Sequence, residues 1–129
     1  MKVLALDFGR ARTGVAVSDP SGMIARPLGV VEQAATDAGL ERLAELVREE
    51  EAERVVVGLP LTLRGDRGEQ ARETEEFIDA LKAVVEVPVE SYDERFTTRL
   101  AKTIPGPDDA RAAAHLLSSY LEWSSAAKE

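Results

Sequence analysis

MKVLALDFGRARTGVAVSDPSG, residues 1–22, is the stretch that decides the fold. Val3 to Phe8 is an apolar run of strand length. Residues 9–14, GRARTG, read as a turn, and residues 15–19, VAVSD, alternate as a second strand. Residues 20–22, PSG, turn the chain again, and residues 23–31, MIARPLGVV, supply a third strand. Two tight turns between three such runs predict an antiparallel meander.

Beyond residue 31 the period changes. Leu40, Leu43, Ala44, Leu46 and Val47 recur at helical spacing, with Asp37 as the expected cap. Residues 53–60, ERVVVGLP, form a β-branched run stopped by Gly and Pro, which predicts a buried strand parallel to its neighbour. Residues 61–68, LTLRGDRG, read as a loop, and Ala71, Thr74, Phe77, Ile78 and Leu81 mark a second helix. Residues 85–92, VEVPVESY, read as a further strand, with Pro88 favouring an edge or a strand start. A short helix is expected near Thr97. Residues 105–109, PGPDD, stop it and start the last helix over residues 109–123, with a frayed tail at 124–129. The predicted order is β-β-β-α-β-α-β-α. It is an α/β class with three antiparallel strands, then two parallel ones, helices on both faces, and a single domain over residues 1–129.

The chain has 129 residues, 44% apolar and 31% charged, with a net charge of −8. It contains no cysteine, which excludes disulfides, thiolate catalysis and cysteine-based zinc sites within it. Its one histidine, His115, excludes a histidine-rich metal site and is expected at the surface or rim, not as a base. No apolar run reaches membrane-spanning length, and the start does not read as a signal peptide, so a cytoplasmic protein is expected. The charge is uneven. Residues 32–53 and 69–90 carry eight and seven acidic side chains against two basic ones each. Residues 1–31, 54–68 and 91–107 carry more basic than acidic side chains, a basic rim on an acidic body.

Carboxylates stand among the core positions. Asp7 follows Val3 and Ala5 at period two and shares their face of the sheet. A charge there is costly unless it is paired or bound to a metal, the alternative being a cap on the turn at Gly9 or Arg10. YDERFTT, residues 92–98, puts Asp93 and Glu94 at the end of a strand, pointing to opposite faces, so that one of the two can meet Asp7. Asp109 lies four, seven, eight and eleven positions before Ala113, Leu116, Leu117 and Tyr120, hence on the inward face of the last helix. Asp108 is the expected cap. Carboxylates crowded from three segments repel unless a cation neutralises them, and one or two Mg²⁺ or Mn²⁺ ions meet that demand. Two such ions suit hydrolysis of a phosphodiester. Arg10, Arg12, Arg64, Arg67, Arg95 and Arg99 stand in the neighbouring loops as candidate phosphate contacts.

LALDFGRARTGVAVSDPSG, VVVGLPLTLRGDRGEQA, YDERFTT and DARAAAHLLSSYL together resemble the signature blocks of the YqgF/RuvX family, in order and over nearly the whole chain. The resemblance implies an RNase H-like fold similar to the RuvC resolvase. It also implies nuclease activity on the 5′ end of precursor 16S rRNA, in a family long described as Holliday junction resolvases. Asp7 resembles the first-strand acid, Asp93 and Glu94 the Asp-Glu-Arg block with Glu94 the preferred ligand, and Asp109 the acid opening the last helix. The implied metal set is Asp7, Glu94 and Asp109. Gly9 and Gly14 match the first-turn glycines, Gly58 and Pro60 the Gly-Leu-Pro turn, and Thr97 and Thr98 the pair after the acids. Members carry a longer basic segment before the last helix. Here it is only RLAKTIPGPDD, residues 99–109, a shortened clamp.

The implied partners are structured RNA or branched DNA, with a ribosomal particle or a second copy compensating for the acidity of the chain; a monomer or weak homodimer is expected. The leading expectation is a metal-dependent endonuclease on an rRNA precursor. Resolution of branched DNA is the second, and a non-catalytic RNA-binding assembly factor the third. An actin-like nucleotide-binding reading of DFGRARTG needs two domains, and the length allows one.

Overall fold

A computed structural model describes residues 1–61, 64–66, 68–94 and 108–127. The elements are β1 (Val3–Asp7), β2 (Arg12–Ser18), β3 (Ala25–Glu32), α1 (Asp37–Glu49), β4 (Arg54–Leu59), α2 (Glu69–Lys82), β5 (Val89–Asp93) and α3 (Asp108–Ala127). One sheet runs in the order β3-β2-β1-β4-β5. β1, β2 and β3 are antiparallel, whereas β4 pairs in parallel with both β1 and β5. The three-plus-two arrangement expected from the sequence is the one observed.

Period-two alternation divides the core into two layers. Leu4, Leu6, Val15, Val17, Val55 and Val57 face α1 and α2, where they meet Leu40, Leu43, Val47, Phe77, Ile78 and Leu81. Val3, Ala5, Ala16, Val56 and Tyr92 face the opposite way and meet Ala113, Ala114, Leu116, Leu117 and Tyr120 of α3. Full burial of each larger apolar side chain is worth about 1.5–3 kcal/mol. Phe8 closes the first layer by stacking on Phe77, with ring centroids 4.4 Å apart.

The hairpin between β2 and β3 is organised by Asp19. Its Oδ1 accepts from the backbone N–H groups of Met23 and Ile24 at 2.9 and 3.0 Å, and its Oδ2 accepts from the Ser21 hydroxyl at 2.6 Å. Gly22 completes the turn at φ 76°, where a side chain is strained.

Some boundaries differ from the expected ones. Thr36, not Asp37, caps α1, because its hydroxyl accepts from the Gly39 N–H at 3.1 Å, and Asp37 sits in the first turn. Gly14 and Gly58, read as turn residues, lie inside β2 and β4. α3 carries on to Ala127, through residues assigned to a frayed tail; alanines are strong helix formers. His115, expected at the rim, is only 4% exposed. α3 lies across β1, β2 and β3, which widens its covered face beyond a single apolar stripe. Among the described residues, no helix is long and apolar enough to cross a membrane.

Candidate active site

The parallel strands β1, β4 and β5 end side by side, and Asp7 is the last residue of β1. In open sheets with parallel strands, ligands bind beyond these carboxyl ends. Leu6 aligns with Val57, so the next row sets Asp7 beside Gly58, and Gly58 aligns with Tyr92. Asp93 aligns with Leu59 one row on, where the side chain takes the other face. Glu94 follows Tyr92 by two residues and returns to the face of Asp7. Glu94 lies just past the end of β5, and its carboxyl is hydrogen-bonded to that of Asp7.

Gly58 makes this contact possible. A Cβ there would stand 2.5 Å from Glu94 Oε1 and 2.9 Å from its Cγ. The two carboxyls meet over a strand position that has no side chain. Gly14 performs a similar task for the third acid. A Cβ at Gly14 would lie 1.8 Å from the Asp109 carbonyl oxygen, so the start of α3 can approach β2 this closely only over glycine. Gly9 holds the intervening turn, where a Cβ would come within 2.5 Å of the Arg12 carbonyl oxygen.

The electrostatics follow from this crowding. Burial pushes the Glu94 carboxyl up to about 7, and the neighbouring Asp7 and Asp93 add to the effect. Burial also raises the Asp7 carboxyl; the hydrogen bond from Glu94 offsets part of this, and Asp109 adds repulsion. Without a cation, protonated Glu94 donates to the Asp7 carboxylate, and one proton serves two acids. Asp109 is engaged instead by Arg12, whose Nε stands 3.3 Å from Oδ2. Among the described residues, no three metal-ligand side chains are gathered closely enough to hold an ion as they stand. The donors nonetheless suit a hard divalent cation. Three carboxylates share one local field, and one of them retains a proton that a cation can replace.

Asp7 and Glu94 open into a cleft of about 490 Å³, lined also by Phe8, Gly9, Arg10, Pro60, Gln70, Glu73 and Thr74. Arg10, expected to meet phosphate, is gripped by Glu73. Its Nε donates to Oε2 at 2.8 Å and its Nη2 donates to Oε1. Arg64 is exposed after β4 and does not line the cleft. Arg67, Arg95, Thr97, Thr98 and Arg99, with the short helix expected near Thr97, lie outside the described residues. The sequence reading missed the contribution of α2. Gln70, Glu73 and Thr74 share one helical face at spacings of three and four, the signal that could have revealed them.

A family model described as "RuvX: Holliday junction resolvase" matches residues 1–123. The "Putative pre-16S rRNA nuclease" of Chloroflexus aggregans is 40% identical over 93% of this chain and 92% of its own length. The protein of the same description from Syntrophomonas wolfei is 34% identical over 100% of this chain and 99% of its own. T. thermophilus RuvC, solved in complex with Holliday junction substrate, superposes with a TM-score of 0.70 at 18% identity, covering 98% of this chain and 96% of that one. That likeness identifies the mixed sheet as RNase H-like.

Proposed function

The chain belongs to the RuvX family, and from that premise we propose that it is a metal-dependent endonuclease processing the 5′ end of precursor 16S rRNA in the cytoplasm. The observation that carries this reading is the Asp7–Glu94 hydrogen bond, with Asp109 close enough to repel Asp7. Half-buried acids set against each other, as Asp7 and Glu94 are, destabilise a fold, and a site that collects them is suited to receive positive charge.

In this proposal Asp7, Glu94 and Asp109 hold one or two Mg²⁺ or Mn²⁺ ions. The bound metal supplies charge that lowers the pKa of water and offsets the charge of a leaving oxygen. The chain's own contributions are positional. Asp7 sits on the rigid end of β1, Glu94 is oriented over Gly58, and Asp109 is delivered by α3 over Gly14. Arg10 borders the same cleft as a donor for a phosphate beside the scissile bond.

A second reading, cleavage of branched DNA, is favoured by the description of the matching family model. Incubating the protein with a precursor 16S 5′ fragment and, separately, a four-way DNA junction distinguishes the two. The proposal expects cleavage of the RNA with Mg²⁺ or Mn²⁺ and none with EDTA. Cleavage of the junction alone overturns it in favour of the second reading.

A further inference from the structure

Arg10 and Glu73 are 63 positions apart in sequence, yet they meet at the cleft that holds Asp7 and Glu94. The contact is two-pronged, and Glu69 adds a weaker third point 3.8 Å from Nη2. Arg10 is 72% exposed and Glu73 28%. The guanidinium is therefore held at the cleft by a less exposed carboxylate. A guanidinium fork takes a carboxylate or a phosphate with the same two N–H groups, so the two anions compete for one donor pair.

We propose that Glu73 is a phosphate mimic that latches Arg10, and that a nucleic-acid phosphate must displace it to enter the cleft. The inference rests on the nuclease reading and deepens it, making Glu73 a determinant of substrate affinity. In a chain of net charge −8, such a latch also selects against weakly held anions, since only a polyanion with further contacts offsets loss of the ion pair.

The latch has a signature in salt dependence. When a phosphate takes Arg10 from Glu73, the cost of breaking the ion pair falls as salt rises, which offsets part of the effect of counterion release at the phosphate. Without the Glu73 charge that offset is gone. The slope of log affinity against log salt then steepens, by at most about 0.7 for single-stranded nucleic acid. Removing an exposed ion pair that competes with binding strengthens affinity by about two- to fivefold.

The test is fluorescence anisotropy with a labelled oligoribonucleotide of the 16S precursor 5′ leader, in Ca²⁺ across a range of KCl concentrations. Wild type, Glu73→Gln, Arg10→Ala and the double variant are compared, with circular dichroism confirming that each is folded. The expected result is tighter binding and a steeper slope for Glu73→Gln, both lost in the double variant. Weaker binding by Glu73→Gln with an unchanged slope overturns the latch and makes Glu73 a positioning residue for Arg10. Equal tightening with and without Arg10 overturns it in favour of a general charge effect. Absence of binding by every protein sinks the nucleic-acid reading, and the latch with it.

Discussion

Glu94 donates a hydrogen bond to Asp7 over Gly58, the one strand position between them that carries no side chain. Two half-buried carboxyls are thereby held together at the ends of β1 and β5. The site's responses to pH, metal and mutation follow from this arrangement.

Burial and the neighbouring Asp7 push the Glu94 carboxyl from an ordinary 4.5 up to about 7 in the folded protein. Between those values the native state holds a proton that the unfolded chain has released, so stability falls as pH rises through the window. Below it both states are protonated, and above it the loss is complete. Thermal unfolding in EDTA is expected to show a declining Tm from about pH 5 to 7.5. Glu94→Gln should flatten the decline and gain about 1–2 kcal/mol at the upper end, less than a fully buried group would give. An unaltered slope in that variant contradicts the assignment.

Divalent metal should reverse the same penalty. A cation binding the deprotonated acids of the native state raises stability by mass action, about 2.7 kcal/mol at one hundred times its dissociation constant. Differential scanning fluorimetry with Mn²⁺ is expected to show a larger rise in Tm at pH 8 than at pH 5, where protons compete. A rise that does not depend on pH places the ion elsewhere.

Gly58→Ala tests the geometry without touching an acid. The added methyl would stand 2.5 Å from Glu94 Oε1, and a side chain can yield where backbone cannot. The expected outcome is a folded protein with Glu94 displaced and cleavage reduced about 100-fold. Full activity would show that Glu94 need not stand where it does.

Gly14→Ala is the structural counterpart. Its methyl would meet the Asp109 carbonyl at 1.8 Å, and backbone atoms on both sides must move. Chemical denaturation should register a loss of about 2–3 kcal/mol as the start of α3 is pushed away from β2. A loss of activity with unchanged stability would contradict this.

Tyr120→Phe serves as a distant control. The Tyr120 hydroxyl accepts from Arg54 Nη1 at 2.9 Å and donates to Glu90, at the end of the sheet remote from Asp7. Arg54 and Glu90 keep each other, at 3.4 Å, when the hydroxyl is removed. The variant should lose about 1 kcal/mol and cleave at the wild-type rate.

Much of this was legible in the chain. Period two from Val3 put Asp7 on the face that α3 covers, because that pattern is local; Asp109, expected inward from helical spacing, is 40% exposed and pairs with Arg12. Which of Asp93 and Glu94 meets Asp7 depends on how β5 ends beside β1 and β4, a long-range relationship; the contact is made by Glu94. Gly14 and Gly58 looked like turn residues because the need for glycine came from neighbours distant in sequence, the start of α3 and Glu94. His115 was misplaced because α3 is covered by three strands at once. Glu73 carried no local mark of pairing with Arg10, a contact that only the approach of α2 to the first turn creates.

The most direct test is cleavage of the precursor 16S 5′ fragment by wild type and Asp7→Asn at matched concentration, with Mg²⁺ or Mn²⁺ and with EDTA. Asparagine keeps the shape and removes the charge. Metal-dependent cleavage by wild type is expected, with a loss of at least about 100-fold in the variant and folding intact. Equal cleavage by both proteins would contradict the claim that the chemistry takes place at Asp7.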